Sequence, residues 1–125
     1  MAFVVVLEDD ALTRELVEMV LSDAGHESRL AVNASQALQL LAGDEPVDVL
    51  FTDINLEANG ATGFDLAREA LQIRKGLRVI YATGSILTDD MRRQFVEGAL
   101  FLQKPYSIDA FLKTLRASLA KEPGR

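Results

Sequence analysis

The chain has 125 residues, 49% of them hydrophobic and 26% charged, which supports one folded domain with a buried core and leaves no room for a second. With 13 basic against 19 acidic residues, its formal charge of −6 opposes the phosphate neutralisation on which direct nucleic-acid binding depends. The absence of cysteine excludes disulfides, a thiol nucleophile and thiolate metal sites, so the composition suits a reducing cytoplasm and any metal would meet oxygen ligands.

The opening Met1-Ala2-Phe3-Val4-Val5-Val6-Leu7 lacks the basic start of a targeting segment and reads as a buried strand, running straight into Glu8-Asp9-Asp10. Leu12, Leu16, Met19, Val20 and Leu21 then recur at helical spacing to about residue 24, where Gly25 stops the helix. Glu27 to Ala31 is the second strand. Asn33 or Ser35 caps a helix carrying Ala37, Leu38, Leu41 and Ala42, and Gly43-Asp44-Glu45-Pro46 breaks it. The third strand runs from Val47 to Thr52 and stops against Asp53. A turn-rich loop, Leu56 to Gly63, leads to a helix with Phe64, Leu66, Ala67, Ala70, Leu71 and Ile73. Strand four, Arg78 to Ala82, is closed by Thr83-Gly84-Ser85. A polar helix is predicted over Thr88 to Glu97, anchored by Met91, Phe95 and Val96, followed by a short strand from Ala99 to Gln103 that ends in Lys104. Ile108 to Ala120 forms the last helix, and residues 121 to 125 read as a frayed, flexible tail. His26 is expected in a surface loop. Nowhere does an apolar stretch approach the ~20 residues that span a bilayer, so no membrane association is expected.

Five strands alternating with helices imply right-handed βαβ crossovers and an α/β, doubly wound parallel sheet covered on both faces, within a single domain of residues 1 to 120. Ligands of such sheets bind beyond the carboxyl ends of the strands, and that is where the acids lie. An aspartate after a strand is commonly a turn residue or a cap. Here, however, Asp53 follows six residues that read as a fully buried strand, on a rigid element, where its carboxylate could attack phosphorus to give an acyl phosphate. Glu8, Asp9 and Asp10 would add charge to the same edge, although Asp10 also suits the N-cap of the first helix. Two carboxylates ~4 Å apart repel by about 4 kcal/mol at an effective dielectric of 20, so a compensating cation is expected. Mg²⁺ fits, because it takes one or two carboxylates together with waters and phosphate oxygens. Lys104 brings an ammonium from another strand end, and Thr83 brings a hydroxyl beside Gly84, where main chain can approach a phosphate closely.

On the segments Val6-Leu7-Glu8-Asp9-Asp10, Val49-Leu50-Phe51-Thr52-Asp53, Val79-Ile80-Tyr81-Ala82-Thr83-Gly84 and Gly98-Ala99-Leu100-Phe101-Leu102-Gln103-Lys104-Pro105-Tyr106, the chain resembles the receiver domain of bacterial two-component response regulators, the CheY-like family. The resemblance covers residues 3 to 120. It implies a (βα)5 fold with strand order 2-1-3-4-5. It also implies that Asp53 accepts a phosphoryl group from a histidine kinase or a histidine phosphotransfer protein in a phosphorelay. Mg²⁺ would be held by Glu8, Asp9, Asp53 and the Asn55 carbonyl, while Thr83 and Lys104 contact the phosphoryl oxygens. Thr83 and Phe101 would form the switch, Asn55 and Ser85 would tune dephosphorylation, and the Lys104-Pro105 bond is the candidate cis peptide. Receivers meet their phosphodonor with the first helix, so Leu12, Thr13 and Val17 are the expected contacts. The expected state is a stand-alone cytoplasmic receiver, monomeric or a weak phosphorylation-dependent dimer, that signals to an unknown output protein. One departure is visible: Leu56 to Gly63 lacks the family's proline and is about two residues longer, so a more mobile loop is expected there.

Three other functions fit parts of the pattern. An aspartate-nucleophile phosphatase of the haloacid dehalogenase type needs a carboxylic acid two residues after the nucleophile, where this chain has Asn55. A phosphorylation-independent interaction module of the same fold would be expected to lack an acid, the lysine or the hydroxyl. A flavin-binding domain would not open its phosphate loop with three acids.

Overall fold

The computed structural model describes residues 1–56 and 62–120. Five strands, Phe3–Leu7 (β1), Glu27–Ala31 (β2), Val49–Asp53 (β3), Arg78–Thr83 (β4) and Leu100–Gln103 (β5), pair in parallel in the order β2-β1-β3-β4-β5. Between and after them run the helices Ala11–Asp23 (α1), Ala34–Ala42 (α2), Gly63–Ile73 (α3), Asp89–Arg93 (α4) and Ile108–Ala120 (α5). This is the doubly wound architecture and strand order expected from the sequence. The expected loop of Leu56 to Gly63 falls largely on residues 57–61, and the expected tail on residues 121–125. Both stretches lie outside the described residues.

The two-residue period of the strands divides the core into two layers. On one face, Val4 and Val6 of β1 join Phe51 and Ile80, covered by Val17, Val20 and Leu21 of α1 and by Phe111 and Leu115 of α5. On the other, Val5, Leu7 and Leu50 meet Ala37 and Leu41 of α2 and Leu66 and Ala70 of α3. A third cluster, Ile54, Phe64, Ala67, Val79 and Tyr81, reaches towards α4 through Phe95 and Phe101. All five residues of β3 are buried, as an apolar central strand covered on both faces should be.

Side-chain caps explain where the helices begin. The Asp10 carboxylate accepts from Thr13 N–H at 2.9 Å, Asn33 Oδ1 accepts from Gln36 N–H at 2.8 Å, and Thr62 with Asp65 forms a reciprocal capping box ahead of α3.

Several boundaries differ from the expectation. Strand β3 starts at Val49, with the Asp48 carboxylate receiving the Phe3 N–H at 2.8 Å just ahead of it, and it includes Asp53 as its last residue. Strand β5 starts at Leu100 rather than Ala99. Helix α4 stops at Arg93, four residues early. There the chain tightens into three-residue bonds, Gln94 N–H to Met91 O and Phe95 N–H to Arg92 O. Phe95 then packs 4.8 Å from the Tyr81 ring, and Val96 N–H donates to the Tyr81 hydroxyl at 3.2 Å. His26 is half-buried rather than a free loop residue. Its Nδ1 accepts from Ala2 N–H at 2.9 Å, and burial lowers its pKa, which keeps that nitrogen available as an acceptor.

Tyr106 packs its ring against Phe51 and Phe111 at centroid distances of 6.1 and 6.0 Å. Its hydroxyl is buried and has no hydrogen-bond partner among the described residues, and burial pushes its pKa up to about 12. A buried unpaired hydroxyl costs about 1–3 kcal/mol, so Tyr106→Phe is expected to raise stability by ~1 kcal/mol in urea unfolding. A measured loss of stability would show that the hydroxyl has a partner in solution.

Candidate functional site

The carboxyl ends of β1, β3, β4 and β5 bring the predicted residues to one edge of the sheet. Glu8 follows β1 and is 1% exposed, while Asp53 ends β3 and is 6% exposed. Two acids this deeply buried require a counter-charge. Lys104, just past β5, supplies it by placing Nζ 2.7 Å from Glu8 Oε1 and 2.7 Å from Asp53 Oδ1. The ion pairs overturn the default view of a lysine as a snorkelling surface residue.

Proton affinities follow from this crowding. Burial, and then a hydrogen bond with Glu8, push Asp53 up to about 7, against the pull of Lys104. Burial also acts to raise Glu8, but hydrogen bonds with Asp53, with Lys104 and from Asp10 N–H outweigh it and hold Glu8 below the usual carboxylate range. The ammonium of Lys104 is desolvated, yet its two carboxylate partners raise its pKa, so it stays charged. Asp53 thus holds its proton more tightly than an ordinary carboxyl, while Glu8 gives its own up more readily beside the Lys104 ammonium.

Asp9 completes an acidic group in which one carboxylate oxygen each of Glu8, Asp9 and Asp53 lies within 4.8 Å of the others. An all-oxygen donor set of this size, open to solvent at Asp9, fits a small hard cation that keeps some of its waters. Asp10 is turned away into the α1 cap, the position its place at the start of the helix suited. Arg14 is a participant that sequence reasoning missed. Its Nη1 donates to the main-chain oxygen of Glu8 at 2.9 Å and of Asp9 at 3.4 Å, pinning the acidic turn from one helical turn away. The available signal was a basic residue facing back over the strand end from the start of α1.

On the other flank, Asp9, Asp53, Asn55, Thr83, Gly84 and Lys104 line an open cleft. Asn55 Nδ2 donates to Thr83 Oγ1 at 2.9 Å and to Ser85 Oγ at 3.2 Å. Ser85 N–H donates to the same Thr83 oxygen at 3.1 Å, so both lone pairs of that hydroxyl are used and its hydrogen remains for an incoming acceptor. The Lys104-Pro105 peptide bond is cis. Phe101, the predicted switch aromatic, is half-buried with its ring 6.3 Å from Phe95. Of the predicted donor contacts, Leu12 is 78% exposed, whereas Val17 is 2% exposed and belongs to the core under α1. Helical geometry turns Leu16 and Met19 outward in its place.

Asp53 is held from behind by α3. Gly63 N–H donates to Ile54 O at 2.7 Å, and a Cβ at Gly63 would lie 2.2 Å from the Asp53 carbonyl oxygen. Helix and strand touch main chain to main chain. Gly63→Ala is expected to cost roughly 3 kcal/mol by chemical denaturation, at the upper end for overpacking, because the clashing atom belongs to the backbone of a central strand. A cost below about 1 kcal/mol would show that α3 can shift without strain.

Residues 4–116 match the response regulator receiver domain family. The chain belongs to that family. The receiver domain is 36% identical over 85 residues to the transcriptional regulatory protein AruR of Pseudomonas aeruginosa, covering 65% of this chain and 34% of that protein. It is 33% identical over 105 residues to the DNA-binding transcriptional regulator NtrC of Escherichia coli, covering 83% of this chain and 22% of that protein. It is 26% identical to the sensor histidine kinase RcsC of Salmonella typhi, covering 90% and 12%. It thus spans about a third or less of the length of these curated relatives. Among solved structures, the chemotaxis protein CheY4 of Vibrio cholerae superposes with a TM-score of 0.84 at 26% identity, covering 95% of this chain and 99% of that one. NtrX of Brucella abortus superposes with a TM-score of 0.82 at 28% identity, covering 94% and 26%. The fold and the signalling class expected from the sequence are those of its relatives.

Proposed function

We propose that Asp53 is the phosphoryl acceptor of this receiver domain and that Glu8, Asp9, Asp53 and the Asn55 carbonyl hold Mg²⁺. The observation that carries the reading is the ammonium of Lys104 lodged between two buried carboxylates, with Asp9 and the Thr83 hydroxyl beside them. When bound, Mg²⁺ supplies charge neutralisation for the carboxylates and for the incoming phosphoryl oxygens. Asp53 gives up its proton, and its carboxylate oxygen forms the new O–P bond as the P–N bond of a phosphohistidine breaks; the imidazole nitrogen leaves with a proton. Lys104 then turns from balancing two carboxylates to contacting the phosphoryl group, and the Thr83 hydroxyl donates its one free hydrogen to it. The product stays on the protein, so the domain acts as a switch rather than a turnover catalyst.

The donor in this proposal is a histidine kinase or a histidine phosphotransfer protein. It docks over α1, where Leu12, Leu16 and Met19 are exposed apolar side chains running along the helix from the acidic turn. The output surface is α4, β5 and α5. Thr83 leaves Asn55 for the phosphoryl group, and Phe101 follows inward. Asn55 and Ser85, at the cleft mouth, tune hydrolysis. Among the described residues no helix is long and apolar enough to cross a membrane, and we place the domain in the cytoplasm with its donor. A phosphorylation-independent module is disfavoured because every group the chemistry needs is present. A phosphatase is disfavoured because Asn55 carries an amide, and that amide is engaged with Thr83 and Ser85. Incubating the full chain with acetyl phosphate and Mg²⁺ should add one phosphoryl group by intact mass, and EDTA should prevent it. No added mass in Mg²⁺ would refute the assignment.

A further inference from the structure

Gln103 closes β5 in register with Thr83, the last residue of β4. The Thr83 carbonyl already accepts from Lys104 N–H at 2.9 Å. Gln103 Nε2 donates to that same carbonyl at 3.0 Å, to Ser85 O at 3.2 Å and to Lys104 O at 3.3 Å. All three neighbours are acceptors, so the amide must present its NH₂ to them, with two hydrogens shared among three oxygens. One side chain thereby joins the main chain of Thr83, of Lys104 and of the turn that follows Thr83. From the β3 side, Asn55 holds the hydroxyls of Thr83 and Ser85. The same turn is thus gripped through its hydroxyls by one carboxamide and through its carbonyls by another.

We infer that Gln103 is a positioning residue, whose carboxamide sets the spacing between the Thr83 hydroxyl and the Lys104 ammonium so that both can meet one phosphoryl group. The inference rests on the phosphoacceptor reading above. Thr83 is the last residue of β4 and Lys104 the first beyond β5, where pairing ends and local opening is cheap. Contacts to a tetrahedral anion tolerate little misplacement, and a shift near 1 Å can cost on the order of 100-fold. Gln103 is exposed and contributes little to the core, so its restraint can be removed without dismantling the fold.

Gln103→Met keeps the side-chain length, removes the donors and adds no charge. In the full chain its affinity for beryllofluoride, a phosphoryl mimic, is expected to fall about tenfold in saturating Mg²⁺. Affinity for Mg²⁺ alone, measured by calorimetry, should stay within about twofold of wild type, because Glu8, Asp9 and Asp53 do not bond to Gln103. In protein without Mg²⁺ or beryllofluoride, amide exchange at Ser85 and Lys104 should accelerate about tenfold by NMR, with an unchanged urea midpoint. Equal beryllofluoride affinity in variant and wild type overturns the inference, as does a parallel loss of Mg²⁺ and beryllofluoride binding. If wild type binds no beryllofluoride, the phosphoacceptor reading fails on its own. Unchanged exchange at Ser85 and Lys104 would separately show that Gln103 restrains nothing.

Discussion

Asp53→Asn is expected to take up no phosphoryl group from acetyl phosphate under conditions that modify wild type to completion. The amide nitrogen and oxygen of asparagine are poor nucleophiles, and no other carboxylate of the site is both buried at a strand end and paired to Lys104 in the same way, apart from Glu8. Glu8 is engaged by the Asp10 N–H on one oxygen and by the Lys104 ammonium on the other, so it is not free to substitute. The variant should fold at least as well as wild type above pH 7, because it removes one of two like charges buried beside each other while leaving the Lys104–Glu8 pair intact. Intact mass and urea unfolding give the two readouts. Undiminished mass gain in Asp53→Asn would move the acceptor elsewhere.

Lys104→Met should have the largest effect on stability. It leaves Glu8 and Asp53 buried against each other without a cation, and removal of one partner from a buried ionic group costs about 3–5 kcal/mol. The cost should depend on pH in a direction set by Asp53. In the folded wild type this group titrates at about 7, far above its value of roughly 3.9 in an unfolded chain. Between those two pH values the folded protein holds a proton that the unfolded chain has released, so metal-free stability falls as pH rises from about 4 to 7 and levels off above. Glu8, held below its ordinary range, acts oppositely: its contribution is present above about pH 4.3 and is lost on further acidification. Metal-free wild type should therefore be most stable near pH 4 to 5, and Lys104→Met should decline more steeply towards pH 8. Mg²⁺ should flatten both profiles. A pH-independent loss in Lys104→Met, unaffected by Mg²⁺, would show that its side chain matters for packing and not for charge.

Much of this site could be read from the chain because it is built on strand ends. An apolar run that stops at a charged residue announces both a buried strand and the place where its last side chain emerges, which made Glu8, Asp53 and Lys104 legible together. What escaped was whatever depends on partners far apart in sequence. Asn55 could be placed near the acceptor, but its bonds to Thr83 and Ser85 span 28 and 30 residues. Gln103 reads as an ordinary outward residue of a strand. Val17 falls in the helical register facing the core, and treating the start of α1 as one contact surface overlooked that register. The α4 pattern was too weakly apolar to fix an end, and it was the Tyr81 hydroxyl, reached by Val96 N–H, that decided it. The His26 acceptor role required knowing that β2 begins beside Ala2.

The junction behind the acceptor has an evolutionary corollary. Asn55 and Thr62 are bridged antiparallel, and Gly63 is bonded to Ile54, so the chain leaves β3 and returns to α3 through a closed neck. The two ends of that neck are therefore tied to each other directly behind Asp53. The neck itself, above all the glycine at its base, has almost no freedom to change.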